Sequence, residues 1–160
     1  MRALLLRSDL RLGEAFLRGK STSKAMKPGG RVFLDACSSR VKFPFSAFIK
    51  RHIWPGNATP LVPHEYLEAV AKSPFEVLKV VDDRESYRLT TLEWAKRLET
   101  ARSNIVARWG ERQFRRFQLY LWGCAHGFGD HEFGAYHMVL QKLDDQRARQ
   151  ARRAGWARLP

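Results

Sequence analysis

The segment Lys27-Pro-Gly-Gly-Arg-Val-Phe-Leu-Asp-Ala-Cys37 decides how the rest of the chain is read. A Pro-Gly-Gly turn delivers a mostly apolar run of strand length from Arg31 to Cys37. A run that does not alternate strictly between apolar and polar is the pattern of a strand buried in an α/β sheet. Downstream, Phe75-Glu-Val-Leu-Lys-Val-Val-Asp82 is rich in β-branched residues and bounded by Pro74 and Asp82-Asp83, so a second strand is expected there. Ala135-Tyr-His-Met-Val-Leu-Gln-Lys142 reads as a third strand. Upstream, residues 2–18 read as a short amphipathic helix or an irregular basic arm.

Helical spacing fills the intervals. His64 to Lys72 carries Tyr66, Leu67 and Val70 on one side, after a loop punctuated by Trp54-Pro-Gly-Asn57, Pro60 and Pro63. Thr90 or Thr91 is the expected cap of a long helix through Leu92, Ala95, Leu98, Ile105 and Trp109, which Gly110 ends. Phe114, Phe117, Leu121, Cys124 and Phe128 then form an apolar stripe at 3-4-3-4 spacing, with Gly127 and Gly129 expected to break the helix. The order strand, helix, strand, helices, strand predicts a small α/β layout without internal repeats.

Composition bounds the class. The 160 residues carry 29 Lys+Arg against 16 Asp+Glu, a net charge of +13, yet 44% are hydrophobic, so a packed core is expected. Residues 1–31 hold 8 Lys/Arg and 2 acids (+6), residues 142–160 hold 6 and 2 (+4), and the middle holds 15 and 12 (+3). The basic charge therefore lies at the two ends, where a solvated tail is the plainest reading. Such ends also suit phosphates of nucleic acid or anionic lipid headgroups. No nucleic-acid recognition motif accompanies the charge, so nucleic acid is not expected as a partner. No stretch has the ~18–20 apolar residues of a membrane span. Two cysteines, Cys37 and Cys124, make no disulfide framework and predict a reduced, cytoplasmic setting.

By spacing alone, Cys124 reads as a buried cysteine of the helix stripe and Tyr87 as a surface tyrosine. His126, Asp130, His131, Glu132 and His137 include metal-ligand types, but they straddle a turn and lack HExxH or Cys-His spacing, so no metal is expected. GxGxxG, GxxxxGK[ST] and GxSxG are absent, and Gly29-Gly30 precedes a strand instead of leading from strand into helix.

Four motifs nevertheless stand in a familiar order. Lys27-Pro-Gly-Gly-Arg-Val-Phe-Leu34 resembles the turn and fifth strand of class I S-adenosylmethionine-dependent methyltransferases. Phe48-Ile-Lys-Arg-His-Ile-Trp-Pro-Gly-Asn57, Tyr87-Arg-Leu-Thr-Thr-Leu-Glu-Trp94 and Arg115-Arg-Phe-Gln-Leu-Tyr-Leu-Trp-Gly-Cys-Ala125 with Phe128 resemble successive segments of cyclopropane-fatty-acyl-phospholipid synthases. Arg7 to Gly19, with Leu12-Gly-Glu-Ala-Phe16, is similar to a segment that lies far upstream in that family, although only residues 20–26 separate it here from the Lys-Pro-Gly-Gly turn. The resemblance implies an internal deletion that removes the first half of the methyltransferase sheet and its Gly-rich cofactor loop.

What the resemblance implies is specific. The fold would be a partial, Rossmann-like class I methyltransferase: about three strands with several helices. Its fifth, seventh and sixth strands would lie side by side, with the seventh antiparallel and the edge facing the missing fourth strand exposed to self-association. Residues 1–26 would be a basic arm, 27–142 the C-terminal half of the domain and 143–160 a basic tail. The implied activity is methylene or methyl transfer from S-adenosylmethionine to an unsaturated acyl chain of a membrane phospholipid, with bicarbonate as base, on the inner face of the membrane. Cys124 falls at the family's active-site cysteine, Tyr87 at a tyrosine that helps hold the anion, and Cys37 at a position offering backbone. Asp35 falls where the family often has His; a carboxylate accepts where an imidazole donates and adds like charge beside an anion. Loss of the cofactor loop predicts little or no activity for this chain alone. The alternative is a non-catalytic remnant that binds anionic membrane through its basic ends.

Overall fold

A computed structural model describes residues 4–7, 26–41, 45–55 and 60–144. Strands β1 (Leu4–Arg7), β2 (Arg31–Ser38), β3 (Phe75–Asp82) and β4 (Gly134–Lys142) form one sheet in the order β1-β2-β4-β3. The helices are α1 (Ala47–His52), α2 (Pro63–Ala71), α3 (Arg84–Thr100), α4 (Arg102–Trp109) and α5 (Glu111–Gly129).

The three strands expected from the sequence lie side by side, with β4 antiparallel to both neighbours: Leu34 faces Met138, and Val80 faces Met138 from the other side. Two expectations are corrected. Among the described residues the sheet has four strands, because Leu4–Arg7 pairs in parallel with β2, Leu4 opposite Val32 and Arg7 opposite Asp35. The sequence pattern there suggests a helix or arm, but backbone donors on the open edge of β2 outweigh that weak helical pattern. The same pairing covers the β2 edge expected to lie exposed. β3 is the edge strand at the other end of the sheet, and its Val77, Leu78 and Val80 are exposed at 39–44%. Residues 8–25, including the Leu12–Phe16 motif, and 145–160 of the basic tail lie outside the described residues.

The turn before β2 is zipped to the end of β4. Gly29 has φ +77°, and its N–H donates to the Lys142 carbonyl (2.8 Å), while Lys142 N–H donates to Gly30 O (2.8 Å). Along β2, Val32, Leu34 and Ala36 point to one side and are buried, whereas Phe33, Asp35 and Cys37 point to the other. With Met138 and Leu140 of β4, and with Tyr66, Ala69 and Val70 of α2, the buried side makes the core. Burying each large side chain there contributes roughly 1.5–3 kcal/mol before entropy. The Tyr66 hydroxyl finds no partner among the described residues.

The helical run after β3 starts earlier than the threonines suggest. Asp82 Oδ1 accepts the Arg84 N–H (2.8 Å), Glu85 occupies the first turn, and α3 begins at Arg84. Thr91 sits inside the helix and donates back to the Tyr87 carbonyl (2.8 Å). The helix breaks at Ala101 into α3 and α4, and Gly110 (φ +82°) ends α4. Gly127 and Gly129 do not break α5, which runs through Gly129. Gly127 serves packing instead: a Cβ there would lie 2.4 Å from the Phe133 ring.

Candidate functional site

The sheet surface opposite the core is polar at one end. Pleating puts Asp35 and Cys37 on that surface, and the register sets Asp35 beside His137 and Cys37 beside Ala135. The first turn of α3 and the last turns of α5 lean over this end. The Tyr87 hydroxyl donates to Asp35 Oδ1 at 2.7 Å, and its ring packs on Phe128, centroids 5.6 Å apart. Phe128 in turn meets Phe133 edge-on at 5.8 Å. Arg84 Nη1 donates to the Phe128 carbonyl (2.6 Å), which ties the start of α3 to the end of α5.

Electrostatics couple the same residues. Burial, then the Asp35 hydrogen bond and the nearby Cys37, hold the Tyr87 hydroxyl well above the ordinary tyrosine range, so it stays protonated. Removal from solvent, then Cys124 and Asp35, push the Cys37 thiol up to about 12, although the residue keeps exposed surface. Cys124 is half-buried and its thiol is also raised, first by burial. Both sulfurs are therefore neutral thiols near pH 7, weak nucleophiles and good apolar wall.

All four residues singled out in the sequence, Asp35, Cys37, Tyr87 and Cys124, thus sit in one cluster. The Cys37 carbonyl accepts the Leu61 N–H (2.9 Å). Two residues were missed. Tyr120 stands one turn before Cys124, and burial with that thiol raises the phenol to about 12. The exposed Trp54 donates from Nε1 to the Tyr120 oxygen at 3.2 Å. Both stand inside motifs already quoted; the i, i+4 step from Tyr120 to Cys124 was the available signal. The histidine group does not come together: His126 pairs with Asp130, and His137 with Asp83 while stacking on Phe33 at 5.4 Å.

Residues 15–138, most of the chain, match the family model described as mycolic acid cyclopropane synthetase. The chain belongs to that family. The family is one of S-adenosylmethionine-dependent cyclopropane synthases, and the resemblance read from the motifs is shown. Cyclopropane mycolic acid synthase 3 of Mycobacterium tuberculosis is 35% identical over 86 residues, which cover 52% of this chain and 29% of that protein. The solved structure of the cyclopropane synthase MmaA2 from Mycobacterium tuberculosis superposes with TM-score 0.74 at 21% identity, over 89% of this chain and 55% of that one. Mycolic acid cyclopropane synthase CmaA1, solved with SAH and CTAB, gives TM-score 0.75 at 20% identity, again over 89% and 55%. The chain thus spans about half the length of these solved relatives, and the superpositions establish the methyltransferase fold.

The described residues do not fit the nucleoside of a sulfonium donor. Such a ligand is cradled by a glycine turn between a parallel strand and a helix. The described glycines with positive φ are Gly29, which enters a strand, and Gly110, which joins two helices. A bicarbonate fits no better. The hydroxyl that would donate to it is committed to Asp35, whose carboxylate repels a second anion.

Proposed function

We propose that this chain is the acyl-facing part of a lipid methyltransferase acting on the double bond of a phospholipid acyl chain at the inner face of the membrane, and that it does not complete the transfer unaided. The hydrogen bond of Tyr87 to Asp35, set beside Cys37 and Cys124 at one end of the sheet, carries this reading. A donor such as S-adenosylmethionine would supply the methyl group from outside the described residues. The chain's own residues do the rest. Neutral thiols and the Phe128–Phe133 pair offer apolar wall to a hydrocarbon. Asp35 puts one fixed negative charge beside it, which favours positive charge building on a nearby carbon far more in a dry site than in water. Tyr87 holds that carboxylate in place.

Two measurements on the full chain test the reading. Calorimetry with S-adenosylmethionine is expected to show no binding in the micromolar range; micromolar affinity would overturn the claim that the chain cannot act unaided. Vesicles of a monounsaturated phospholipid should slow alkylation of Cys124, followed by peptide mapping, at least several-fold. Equal alkylation rates with and without vesicles would remove the acyl-facing assignment.

A further inference from the structure

Along α5, Arg112, Arg116, Tyr120 and Cys124 recur at four-residue steps, which places them on one slanting ridge of the helix. Tyr120 and Cys124 belong to the site described above. The other half of the ridge carries Arg112 and Arg116, about two turns and one turn before Tyr120. The segment leaving α1 is tied to the ridge by the Trp54–Tyr120 hydrogen bond, and α1 ends in Lys50, Arg51 and His52 with no acid in its first turn. The His52 imidazole is held below its ordinary value by desolvation first, then by the charges of Arg116, Arg51 and Arg112, which belong to both helices.

Among the described residues no carboxylate pairs with these three arginines. Glu111 is engaged by Arg102 and Arg115. Among the described residues Arg51, Arg112 and Arg116 form no ion pair, and Arg116 donates to the neutral Gln113 at 3.1 Å. Like charges gathered this way repel unless an anion lies among them, and planar guanidiniums match phosphate oxygens in geometry. Gln113 also borders an apolar cavity of about 250 Å³ lined by Leu98, Trp109, Phe114 and Phe117. The cationic end of the ridge is therefore flanked by hydrocarbon-compatible surface.

We propose that Arg51, Arg112 and Arg116 bind the phosphodiester of a glycerophospholipid whose acyl chain runs along the ridge to Cys124. This rests on the acyl-facing reading and names the part of the substrate that reading leaves open. Distance supports it. At ~1.5 Å per residue, Arg116 and Arg112 stand about 12 and 18 Å from Cys124 along the helix axis. One leaflet of a bilayer has about 15 Å of hydrocarbon beneath a headgroup layer several Å deep, so phosphate and mid-chain are separated by a similar length. The exposed indole of Trp54 lies between the two, where amphipathic rings settle at a membrane surface.

The test uses the full chain without any methyl donor, so absence of methyl transfer leaves it intact. Calorimetry compares a short saturated phosphatidylglycerol, the matching phosphate-free diacylglycerol and inorganic phosphate. The phosphatidylglycerol is expected to bind at least tenfold more tightly than either. Arg112→Gln with Arg116→Gln should cost at least tenfold, whereas Arg147→Gln with Arg149→Gln in the basic tail should change affinity less than twofold. Circular dichroism and melting confirm that the variants fold. In the same double variant, protection of Cys124 by a long-chain monounsaturated phosphatidylglycerol should be lost. Equal affinity for the diacylglycerol, equal affinity for inorganic phosphate, or an equal loss in the tail variant would each overturn the proposal. Methyl transfer to a phosphate-free acyl substrate, observed with any supplied donor half, would overturn it while leaving the acyl-facing reading standing.

Discussion

The two surfaces of the sheet are built from alternate residues of the same strands, yet they do opposite work. Val32, Leu34 and Ala36 of β2, with Met138 and Leu140 of β4, are sealed beneath α2. One residue out of phase, Phe33, Asp35 and Cys37 with His137 and Val139 stay half-buried or exposed, and a carboxylate and two thiols gather at one end. The sealed side supplies stability. The open side holds a carboxylate that a sealed side would not tolerate, because an unpaired carboxylate in a core costs several kcal/mol.

Leu140 and Val139 sharpen that contrast most. Leu140→Ala should destabilise the fold by about 2–5 kcal/mol in urea titration, by lost transfer energy plus a cavity. Val139→Ala, its neighbour on the open side, should cost clearly less, about 1 kcal/mol. Equal losses would erase the distinction between the two surfaces. Gly127→Ala comes next. Its methyl would collide with the Phe133 ring that buttresses the site, at a cost of about 1–3 kcal/mol. Phe133→Leu should recover part of that loss, and a fully additive double variant would show that the contact is not the cause.

Alkali should act on both surfaces. Tyr66 on the sealed side, and Tyr120 and Cys37 on the open side, are each raised to about 12 from values of 10.0 and 9.0. Folding therefore favours their protonated forms. The resulting stability is fully present below about pH 9 and declines as the pH rises toward 12. A urea midpoint that stays flat across that window would contradict the burial assigned to these groups. The smallest effect is expected for Tyr66→Phe. Removing a buried hydroxyl that has no partner among the described residues should leave stability within about 1 kcal/mol of the parent or raise it, and should flatten part of the alkaline decline.

Much of this was legible in the residues. β2, β3 and β4 follow from turn signals and apolar runs, α2 from its one-sided Tyr66 and Val70, and the α5 stripe from its spacing. The start of α3 was misplaced because threonines are good caps in isolation, whereas Asp82 sits two residues before Arg84 and captures its N–H. The break expected at Gly127 failed for a related reason. Glycine weakens a helix in isolation, but here it makes room for a ring from the following turn.

What the sequence determined by itself is whatever depends on short range: strand and helix periodicity, the glycine turn before β2, and the four motifs that carry the family. Only the tertiary structure decided which partners meet across the chain. Leu4–Arg7 becomes a strand because β2 offers it an edge, and Asp35 meets Tyr87 across 52 residues because a helix end is set over that part of the sheet. The arginines of α1 and α5 act on one imidazole, that of His52, for the same reason. Local pattern fixes which way a side chain points along its own element, but the energy of a contact belongs to both elements and exists only once they are packed.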